Sequence, residues 1–411
     1  MSHSYRGAAA WLVLFGIIFP TAELHPKITP GRISVWLLII PALIMLCQRG
    51  RRMVVSDLFV FATAVWMMMT LYYNNGGLEA WTRSGAAETL DFFNAYVVAR
   101  AFFLGPMAVG TFIRALKVFA TIAIILAMAD VVYGHLFIHH IFASIVGSPP
   151  PGEQERMGII RANSSFDHAI LFGAFCAVVG NIFLYSEQSA LRQVFWVGLC
   201  FFGVILSVTS AALMSICISL AAYTYDRLLK QHRRRWTAFW ILLAVVSMGF
   251  VSVSGHPIGW LILHLTLDPH NGYYRLMVWN EAMPVVANSP WIGKGIPDAD
   301  ESQLLSVDCV WLAYTIRYGY PAISLLFLAN VTAFLPAHEP FNSQVADPYM
   351  NRIRTGFTAA LIMLMFIGLS VHYWSYIVIF WGLCLGLRAS FREQSIVADR
   401  VPRRRAVALA S

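Results

Sequence analysis

Long apolar runs recur along the whole chain, and they constrain its fold more than any other feature of the sequence. A helix that crosses a bilayer needs about 20 predominantly apolar residues. Such a segment must also satisfy its own backbone hydrogen bonds in the hydrocarbon region, and a helix does so. The runs therefore predict about twelve transmembrane helices, which we place near residues 8–22, 33–48, 54–73, 87–105, 115–134, 168–185, 193–208, 210–226, 236–254, 309–335, 355–371 and 373–389.

The composition supports the same fold class. Of the 411 residues, 58% are hydrophobic and 12% are charged, whereas soluble domains are about half apolar and about a quarter charged. These figures exclude a soluble enzyme, a disordered chain and a collagen-like chain. The six cysteines form no C-x-x-C pair, so the sequence supports neither a disulfide framework nor a thiolate metal site. We predict an all-α, polytopic membrane protein whose residues 1–411 form a single membrane domain.

The stretch 193–226 leaves two interpretations open. It could form one long tilted helix or two short helices, because it is apolar along most of its length. A tight break at Ser207-Val208-Thr209-Ser210 favours two helices.

The distribution of Lys and Arg predicts which helix ends face the cytoplasm. If both termini are cytoplasmic, that side receives 20 of the 29 basic residues. The other side receives Lys27, Arg32, Arg83, Arg156, Arg161, Arg275 and Lys294. Cytoplasmic segments of membrane proteins carry an excess of Lys and Arg, so we predict cytoplasmic termini and a cytoplasmic basic tail at 390–411. The net charge of +8 then reflects topology and contacts with membrane lipid, and no nucleic-acid partner is predicted.

Two segments on the outward side are longer than the other connections, at 135–167 and 255–308. Long ordered loops in compact proteins usually carry function. The basic residues in these segments are Arg156, Arg161, Arg275 and Lys294. Because topology disfavours basic residues on this side, they are either random surface charge or the binding site of an anionic ligand at the outer membrane face.

The two segments contain a combination of Arg, aromatic residues and Gly in a fixed order. In the first, Arg161 is followed by Phe166 and by a helix that carries Gly173. In the second, Trp279 follows Arg275 by four residues, and the next turn contains Pro290, Gly293 and Gly295. Asp308 then stands at the start of the following helix, with Gly319 eleven residues later.

This ordered combination, over residues 156–319, resembles the superfamily of O-antigen polymerases and O-antigen ligases, which are bacterial membrane glycosyltransferases. The resemblance implies a GT-C-like fold in the bacterial inner membrane, with the segments 135–167 and 255–308 in the periplasm. Members of the superfamily transfer glycan from an undecaprenyl-pyrophosphate carrier. The implied function is a polysaccharide polymerase that extends a carrier-linked repeat unit in O-antigen or exopolysaccharide assembly. The implied partners are the carrier-linked glycan, membrane lipid and other polysaccharide-assembly proteins.

The chemistry that the resemblance implies suits the basic residues. A pyrophosphate leaving group offers several oxygens, for which Arg supplies paired donors in a fixed fork. Cations placed where charge grows in the transition state lower the barrier. Arg161 and Arg275 are therefore the predicted catalytic pair, with Arg156 and Lys294 as donor-binding residues beside them. The other predicted substrate-binding residues are His168, Trp279, Gly293, Gly295 and Arg317.

Two of these predictions have simpler alternatives. Gly293 and Gly295 are predicted to let the backbone approach the phosphates closely, but they also suit an ordinary turn after Pro290. His168 stands at a helix start, where it could instead cap the helix or lie in the membrane interface.

Asp308 is the predicted base that removes the proton of the attacking glycan hydroxyl. Ligases of the superfamily carry a His-Asn pair where this chain has Asp308-Cys309, so the sequence departs from the ligase pattern. A carboxylate can act as the base within hydrogen-bond reach of the hydroxyl, although Asp308 could also cap the next helix. Further candidates for the base are His264, His270 and Glu281.

Two charged residues stand inside predicted helices. Arg100 lies near a cytoplasmic helix end, and we expect its guanidinium to extend to the interface. Arg317 lies about 12 Å into its helix by the helical rise. A charge at that depth costs about 2.5–3.5 kcal/mol on insertion scales, so we expect Arg317 to face a polar cavity. Its candidate partners are Glu88, Asp91 and Asp130.

No metal or cofactor is predicted. Asp298-Ala299-Asp300 has the D-x-D pattern that can hold a divalent metal beside a nucleotide sugar. Nucleotide sugars are not expected in the periplasm, and a solvated acidic loop is the commoner use of this pattern. His135, His139 and His140 could bind a metal from one helix face, but a histidine cluster of this kind is usually structural.

Two competing functions remain. A ligase of the same superfamily would transfer the finished glycan to lipid A–core. A transporter or flippase would place polar groups near the midplane on broken helices and would often show two similar halves. This sequence shows no internal repeat, and its polar residues concentrate in the outward segments. A metal-independent glycosyltransferase is therefore the predicted function, with the polymerase favoured over the ligase because of Asp308.

Overall fold

A computed structural model describes residues 3–20, 29–48, 51–77, 84–147, 149–232, 234–253, 269–296, 307–335 and 347–410. These residues are mostly helical. Their helices are α1 (His3–Ile18), α2 (Pro30–Leu46), α3 (Val55–Asn74), α4 (Ser84–Phe102), α5 (Pro106–Tyr133), α6 (Phe137–Val146), α7 (Ala169–Ser186), α8 (Ala190–Ser207), α9 (Ser210–Leu228), α10 (Arg235–Val253), α11 (Pro269–Asn288), α12 (Val310–Phe334), α13 (Pro348–Ile367) and α14 (Tyr376–Ala410). Two short antiparallel strands, β1 (Glu155–Arg156) and β2 (Ile159–Ile160), form a hairpin between α6 and α7.

Each of the twelve predicted helices has a counterpart among these elements. The stretch 193–226 forms two helices, α8 and α9, as its break predicted. Val208 ends α8 in the left-handed conformation, with φ 46°, and its N–H donates to the Ile205 carbonyl oxygen. The turn is therefore too tight for one continuous helix.

Five helices in the described ranges are long and apolar enough to cross a bilayer: α3, α5, α7, α8 and α13. Except for α7, these helices carry apolar side chains on the outside of the bundle, such as Phe61 on α3 and Ile125 on α5, which are more than half exposed. A lipid bilayer accommodates such faces, whereas water does not. The chain therefore has the helices of a membrane-associated protein.

The helix α7 is the centre of the bundle, since nearly all of its residues are buried. It packs against α8 and α9 through small residues. A Cβ atom added at Gly173 would lie 2.5 Å from the hydroxyl oxygen of Ser207 at the end of α8. A Cβ atom at Gly180 would lie 3.1 Å from a side-chain carbon of Ile216 on α9. Glycine at these positions allows the close helix contacts that are common in membranes.

Arg100 is buried in an ion-pair cluster, so the expectation that it extends to the interface is wrong. Its Nε lies 2.8 Å from Asp57 Oδ1 on α3, and its Nη1 lies 2.6 Å from Glu393 Oε2 on α14. Its Nη2 also donates to the Arg52 carbonyl oxygen at 3.0 Å. Because these partners satisfy the guanidinium inside the protein, it has no need to reach solvent.

The two long segments that are predicted to face outward contain secondary structure of their own. The segment 135–167 holds α6 and the β1–β2 hairpin, and the segment 255–308 holds α11. Residues 254–268 and 297–306 lie outside the described residues, and with them His264 and the D-x-D pattern at 298–300. The basic tail continues α14 as a helix to Ala410.

Candidate functional site

Three arginines from two distant segments of the sequence line one cavity of about 630 Å³. Arg156 lies on β1, Arg161 follows β2 directly, and Arg275 lies on α11. Asp308, which stands two residues before the start of α12, lines the same cavity. Arg161 and Arg275, the predicted catalytic pair, therefore line the same cavity, while their catalytic role stays a prediction. The other lining residues are Gln154, Glu155, Met157, His168, Ile170 and Tyr274.

Arg161 is held in place by neutral oxygen acceptors. Its Nη1 donates to Gln154 Oε1 at 2.7 Å, and its Nε donates to the Ser207 carbonyl oxygen at 3.2 Å. Its Nη2 donates to Thr209 Oγ1 at 3.2 Å. Within the part of the chain that the structure describes, no carboxylate forms an ion pair with Arg161. A guanidinium has five N–H groups, so Arg161 keeps donors and its full charge for a ligand.

Arg156 is attached to the same turn as Arg161. Its Nη1 donates to the Val208 carbonyl oxygen at 3.1 Å, next to the Ser207 carbonyl that Arg161 uses. The last carbonyls of a helix have no partner within the helix and carry partial negative charge. The C-terminus of α8 therefore orients two arginines without neutralising them.

Nearby positive charge destabilises the charged forms of Arg161 and Arg275. Burial lowers the pKa of Arg161 to about 10, and the charges of Arg156 and Arg275 contribute to the decrease. Burial also lowers the pKa of Arg275, although the nearby charge of Asp308 opposes this effect. Positive groups that are partly removed from water and lie close together are costly unless an anion balances them. The cavity is therefore suited to an anionic ligand.

The carboxylate of Asp308 faces the cavity, and the neighbouring residue caps the helix. Cys309 is the N-terminal cap of α12, and its Sγ accepts a hydrogen bond from the Leu312 N–H at 3.5 Å. The alternative that Asp308 caps this helix is therefore wrong. Asp308 lies close enough to Arg275 to influence its pKa.

His168 both caps α7 and lines the cavity. Its Nδ1 accepts a hydrogen bond from the Ile170 N–H at 3.1 Å, which leaves the ring proton on Nε2. Burial lowers the pKa of His168 to about 4, and the charge of Arg161 contributes. The imidazole is therefore neutral near pH 7. His168 therefore caps α7 and lines the cavity at the same time.

Asp130, near the end of α5, fixes the loop that follows Arg161. Its Oδ2 accepts hydrogen bonds from the Asn163 and Ser164 N–H groups at 3.1 and 2.8 Å, and its Oδ1 accepts one from the Phe137 N–H at 2.9 Å. Ser164 has a left-handed backbone, with φ 57°, which these bonds stabilise. Asp130 was a candidate partner of Arg317, but its carboxylate accepts these backbone hydrogen bonds instead.

The Gly293–Gly295 turn is not at the cavity, and its amides are already bonded. The Lys294 and Gly295 N–H groups donate to the carbonyl oxygens of Ile316 and Arg317 at 2.8 and 3.0 Å, and the Gly293 N–H donates to the Ser289 carbonyl oxygen at 3.1 Å. The Lys294 and Gly295 amides thus hold α12 and the Gly293 amide closes the turn, so none of the three can bind phosphate while these bonds are formed. The structure therefore contradicts the predicted role of Gly293 and Gly295 in phosphate binding.

The same turn packs on a kink in α12. Gly319 interrupts the helix with φ 77° and ψ 175°. A Cβ atom at Gly319 would lie 2.1 Å from the Trp291 carbonyl oxygen, and one at Gly293 would lie 2.5 Å from the Arg317 carbonyl oxygen. Glycine is needed on both sides of this contact because the two backbones touch.

We expect Gly319→Ala to destabilise the protein. Its backbone conformation is almost restricted to glycine and costs about 1–3 kcal/mol for other residues, before the clash with Trp291 is counted. Thermal unfolding of the purified protein should begin at a clearly lower temperature. Gly198→Ala on α8 is the matched control, because a Cβ atom at Gly198 meets nothing within 4 Å. Equal unfolding temperatures for the two variants would contradict the proposed packing role.

Three further predicted substrate-binding residues, besides Gly293 and Gly295, lie outside the cavity. Arg317 forms an ion pair with Glu88 on α4, and its Nη1 lies 3.3 Å from Glu88 Oε2. Glu88 is one of its three candidate partners. Asp91 pairs instead with Arg32, at 2.9 Å. Trp279 and Lys294 are exposed side chains that are absent from the cavity lining. The basic cluster at the cavity therefore contains fewer residues than the sequence predicted.

The three histidines in and next to α6 form contacts within the segment 135–167. His139 Nε2 lies 2.9 Å from the Phe166 carbonyl oxygen, and His140 Nε2 lies 3.0 Å from Glu153 Oε1. The ring of His135 contacts the ring of His140 at 5.1 Å. Across the described ranges, no group of three or more His, Cys, Asp or Glu side chains is arranged to hold a metal ion.

Two neighbouring ring-bearing residues, one of which contacts the cavity residue His168, were not predicted. In the connection between α13 and α14, Val371 and Tyr373 are buried, whereas His372 and Trp374 are partly exposed. The Trp374 ring contacts the His168 ring at 6.0 Å. The sequence signal for these two residues is the spacing His-x-Trp in a short connection between helices. Alternate side chains of such a connection can lie on the same side of the backbone.

No protein-family model matches this sequence, and no curated protein matches it significantly. The resemblance to the O-antigen superfamily therefore depends on the residues that carry it. Of those residues, Arg161, Arg275 and Asp308 meet at the cavity, whereas the glycine turn supports the fold.

Proposed function

We propose that the protein is a lipid-linked glycan polymerase of the bacterial inner membrane. It transfers glycan from an undecaprenyl-pyrophosphate donor to a carrier-linked repeat unit in O-antigen or exopolysaccharide assembly. The observation that carries this proposal is the cavity shared by Arg156, Arg161, Arg275 and Asp308. It offers the two things that glycan transfer from a pyrophosphate carrier needs, namely cations for the leaving group and a carboxylate for the proton.

The arginines bind the pyrophosphate and stabilise it as it leaves. Arg275 and the unused N–H groups of Arg156 and Arg161 donate to its oxygens in paired fashion. Negative charge on the bridging oxygen grows as its bond to the sugar breaks, so these interactions are stronger in the transition state than in the bound donor. The arginine cluster and the bound pyrophosphate therefore stabilise each other.

Asp308 receives the proton of the acceptor. The acceptor hydroxyl oxygen forms a new bond to the anomeric carbon of the donor sugar, and the bond from that carbon to the pyrophosphate oxygen breaks. The electron pair of the broken bond stays on undecaprenyl pyrophosphate, and the hydroxyl proton moves to the Asp308 carboxylate. This step requires neither a metal ion nor a redox cofactor.

The contacts between connections support twelve spans with both termini in the cytoplasm. That topology assigns the β1–β2 segment, the α8–α9 turn and the α11 segment to the periplasm, and the arginine cavity joins all three. It assigns the start of α3 and the end of α4 to the cytoplasm, where Arg100 meets Asp57 and Glu393. The periplasmic cavity is then on the side where carrier-linked repeat units are polymerised.

We expect the purified protein in liposomes to convert carrier-linked repeat units into a ladder of longer glycans. One undecaprenyl pyrophosphate should be released for each new glycosidic bond, because every transfer breaks one donor bond. The ladder should be unchanged by EDTA, since the proposed step needs no divalent metal. Gel separation of labelled glycans together with assay of the released carrier measures both quantities.

Two other results would contradict the proposal. Movement of the labelled repeat across the bilayer without any ladder would identify a transporter or flippase. Loss of the ladder in EDTA, restored by a divalent ion, would indicate a metal site and would direct attention to the acidic residues at 298–301.

A further inference from the structure

A row of three rings begins at the cavity. The Trp374 ring centroid lies 6.0 Å from that of His168, which lines the arginine cavity, and 6.1 Å from that of His372. The His372 and Trp374 rings are inclined by 31°, whereas the His168 ring meets Trp374 edge-on at 75°. The row therefore leads from the arginines to the connection between α13 and α14.

This connection is fixed beside Asp308 by its backbone. The Val310 N–H, two residues after Asp308, donates to the carbonyl oxygens of Gly368 and Val371 at 3.0 and 3.2 Å. The Tyr373 hydroxyl also donates to the Leu364 carbonyl oxygen at 2.7 Å. These bonds anchor the connection that carries His372 and Trp374 to the start of α12, two residues after Asp308.

His372 has an unused hydrogen-bonding atom. Its Nδ1 is buried and has no hydrogen-bond partner among the residues that the structure describes. Buried polar atoms are normally paired, so an unpaired one is a candidate for a bond to a ligand. Burial lowers the pKa of His372 to about 3, and the charge of Arg317 contributes, so the ring is neutral near pH 7. Such a ring can bind a hydroxyl group but does not attract phosphate.

We propose that His372 and Trp374 form the binding site for the acceptor sugar, adjacent to the pyrophosphate site and to Asp308. The apolar C–H face of a pyranose ring stacks on an indole, and its hydroxyl groups exchange hydrogen bonds with neutral imidazoles. The row has this chemistry, whereas the arginine cluster has the chemistry of an anion site. This inference rests on the proposed function, because only a transferase needs an acceptor beside the donor.

The test measures binding of two probes to the full-length protein in lipid nanodiscs. Geranylgeranyl pyrophosphate reports on the arginine site, and the repeat-unit oligosaccharide released from its carrier by mild acid reports on the acceptor site. For Trp374→Leu we expect the Kd of the oligosaccharide to rise about tenfold, because an aliphatic side chain offers no flat face. The Kd of geranylgeranyl pyrophosphate should stay within about twofold of the wild-type value.

A conservative variant and a control variant distinguish the loss of ring stacking from a loss of folding. Trp374→Phe should retain oligosaccharide binding, because a smaller aromatic ring still stacks, and His372→Ala should weaken it. Trp291→Ala is the matched control, since the Trp291 side chain is 70% exposed and is absent from the cavity lining.

Each remaining outcome is decisive. If Trp374→Leu binds the oligosaccharide as tightly as the wild-type protein, or if it loses both probes together, the acceptor site is wrong. If the wild-type protein binds geranylgeranyl pyrophosphate but not the oligosaccharide, the acceptor site is also wrong while the proposed function stands. If it binds no geranylgeranyl pyrophosphate, the proposed function fails, and the acceptor site fails with it.

Discussion

Replacement of Arg275 by lysine is expected to reduce polymer formation about 100-fold, although the variant still inserts into the membrane. Lysine keeps the positive charge but replaces a fork of parallel donors by a single point charge. Loss of one well-placed donor to a developing oxyanion costs about 10²–10³ in rate. The measurement is the initial rate of ladder formation in liposomes, normalised to the amount of inserted protein.

Arg275 is a better test than Arg161 because of what each side chain does in the fold. Arg161 bonds to Gln154, Ser207 and Thr209, so its removal would also loosen the turn between α8 and α9. Arg161→Ala should abolish polymer formation as well, but part of that loss would be structural. Arg192→Lys, at an exposed site on α8, is the matched control. A rate for Arg275→Lys equal to that of this control would rule out its proposed role.

The helices could be predicted from the sequence because hydropathy and length decide them locally. The break between α8 and α9 was predictable for the same reason, since it depends on a few adjacent residues. The burial of Arg100 was not, because it depends on Asp57 and Glu393, which are distant in sequence and reach it only in the folded bundle. A long side chain near a helix end has the same sequence pattern whether it extends to the interface or pairs inside the protein.

The candidate site could be predicted in part. Arg161 and Arg275 were recognisable because topology disfavours basic residues on the outward side, so their presence required a reason. The role of Gly293 and Gly295 was not recognisable, because a Gly-x-Gly turn looks the same whether its amides face a phosphate or the carbonyls of α12. His372 and Trp374 escaped prediction because their connection is short and their position depends on Val310.

Deletion of the gene is expected to leave single repeat units, linked to carrier or transferred to the acceptor, with no long polymer. This result follows if the acceptor is another carrier-linked repeat, since without the polymerase each repeat is never extended. Gel analysis of the surface glycan, together with mass spectrometry of the carrier-linked pool, measures the outcome. Restoration of long polymer by the wild-type gene, and not by Arg275→Lys, would connect the defect to the arginine cavity.

A ligase would give the opposite pattern, although it uses the same donor. Its acceptor is lipid A–core, so its deletion would leave long polymer accumulating on undecaprenyl pyrophosphate. The polymerase is favoured because Asp308-Cys309 stands where ligases of the superfamily carry His-Asn, and because Cys309 caps α12 and leaves the Asp308 carboxylate at the cavity. Complementation by Asp308→Asn should restore little polymer, since an amide cannot accept the hydroxyl proton. Polymer accumulating on the carrier after deletion would instead assign ligase activity and require a different role for Asp308.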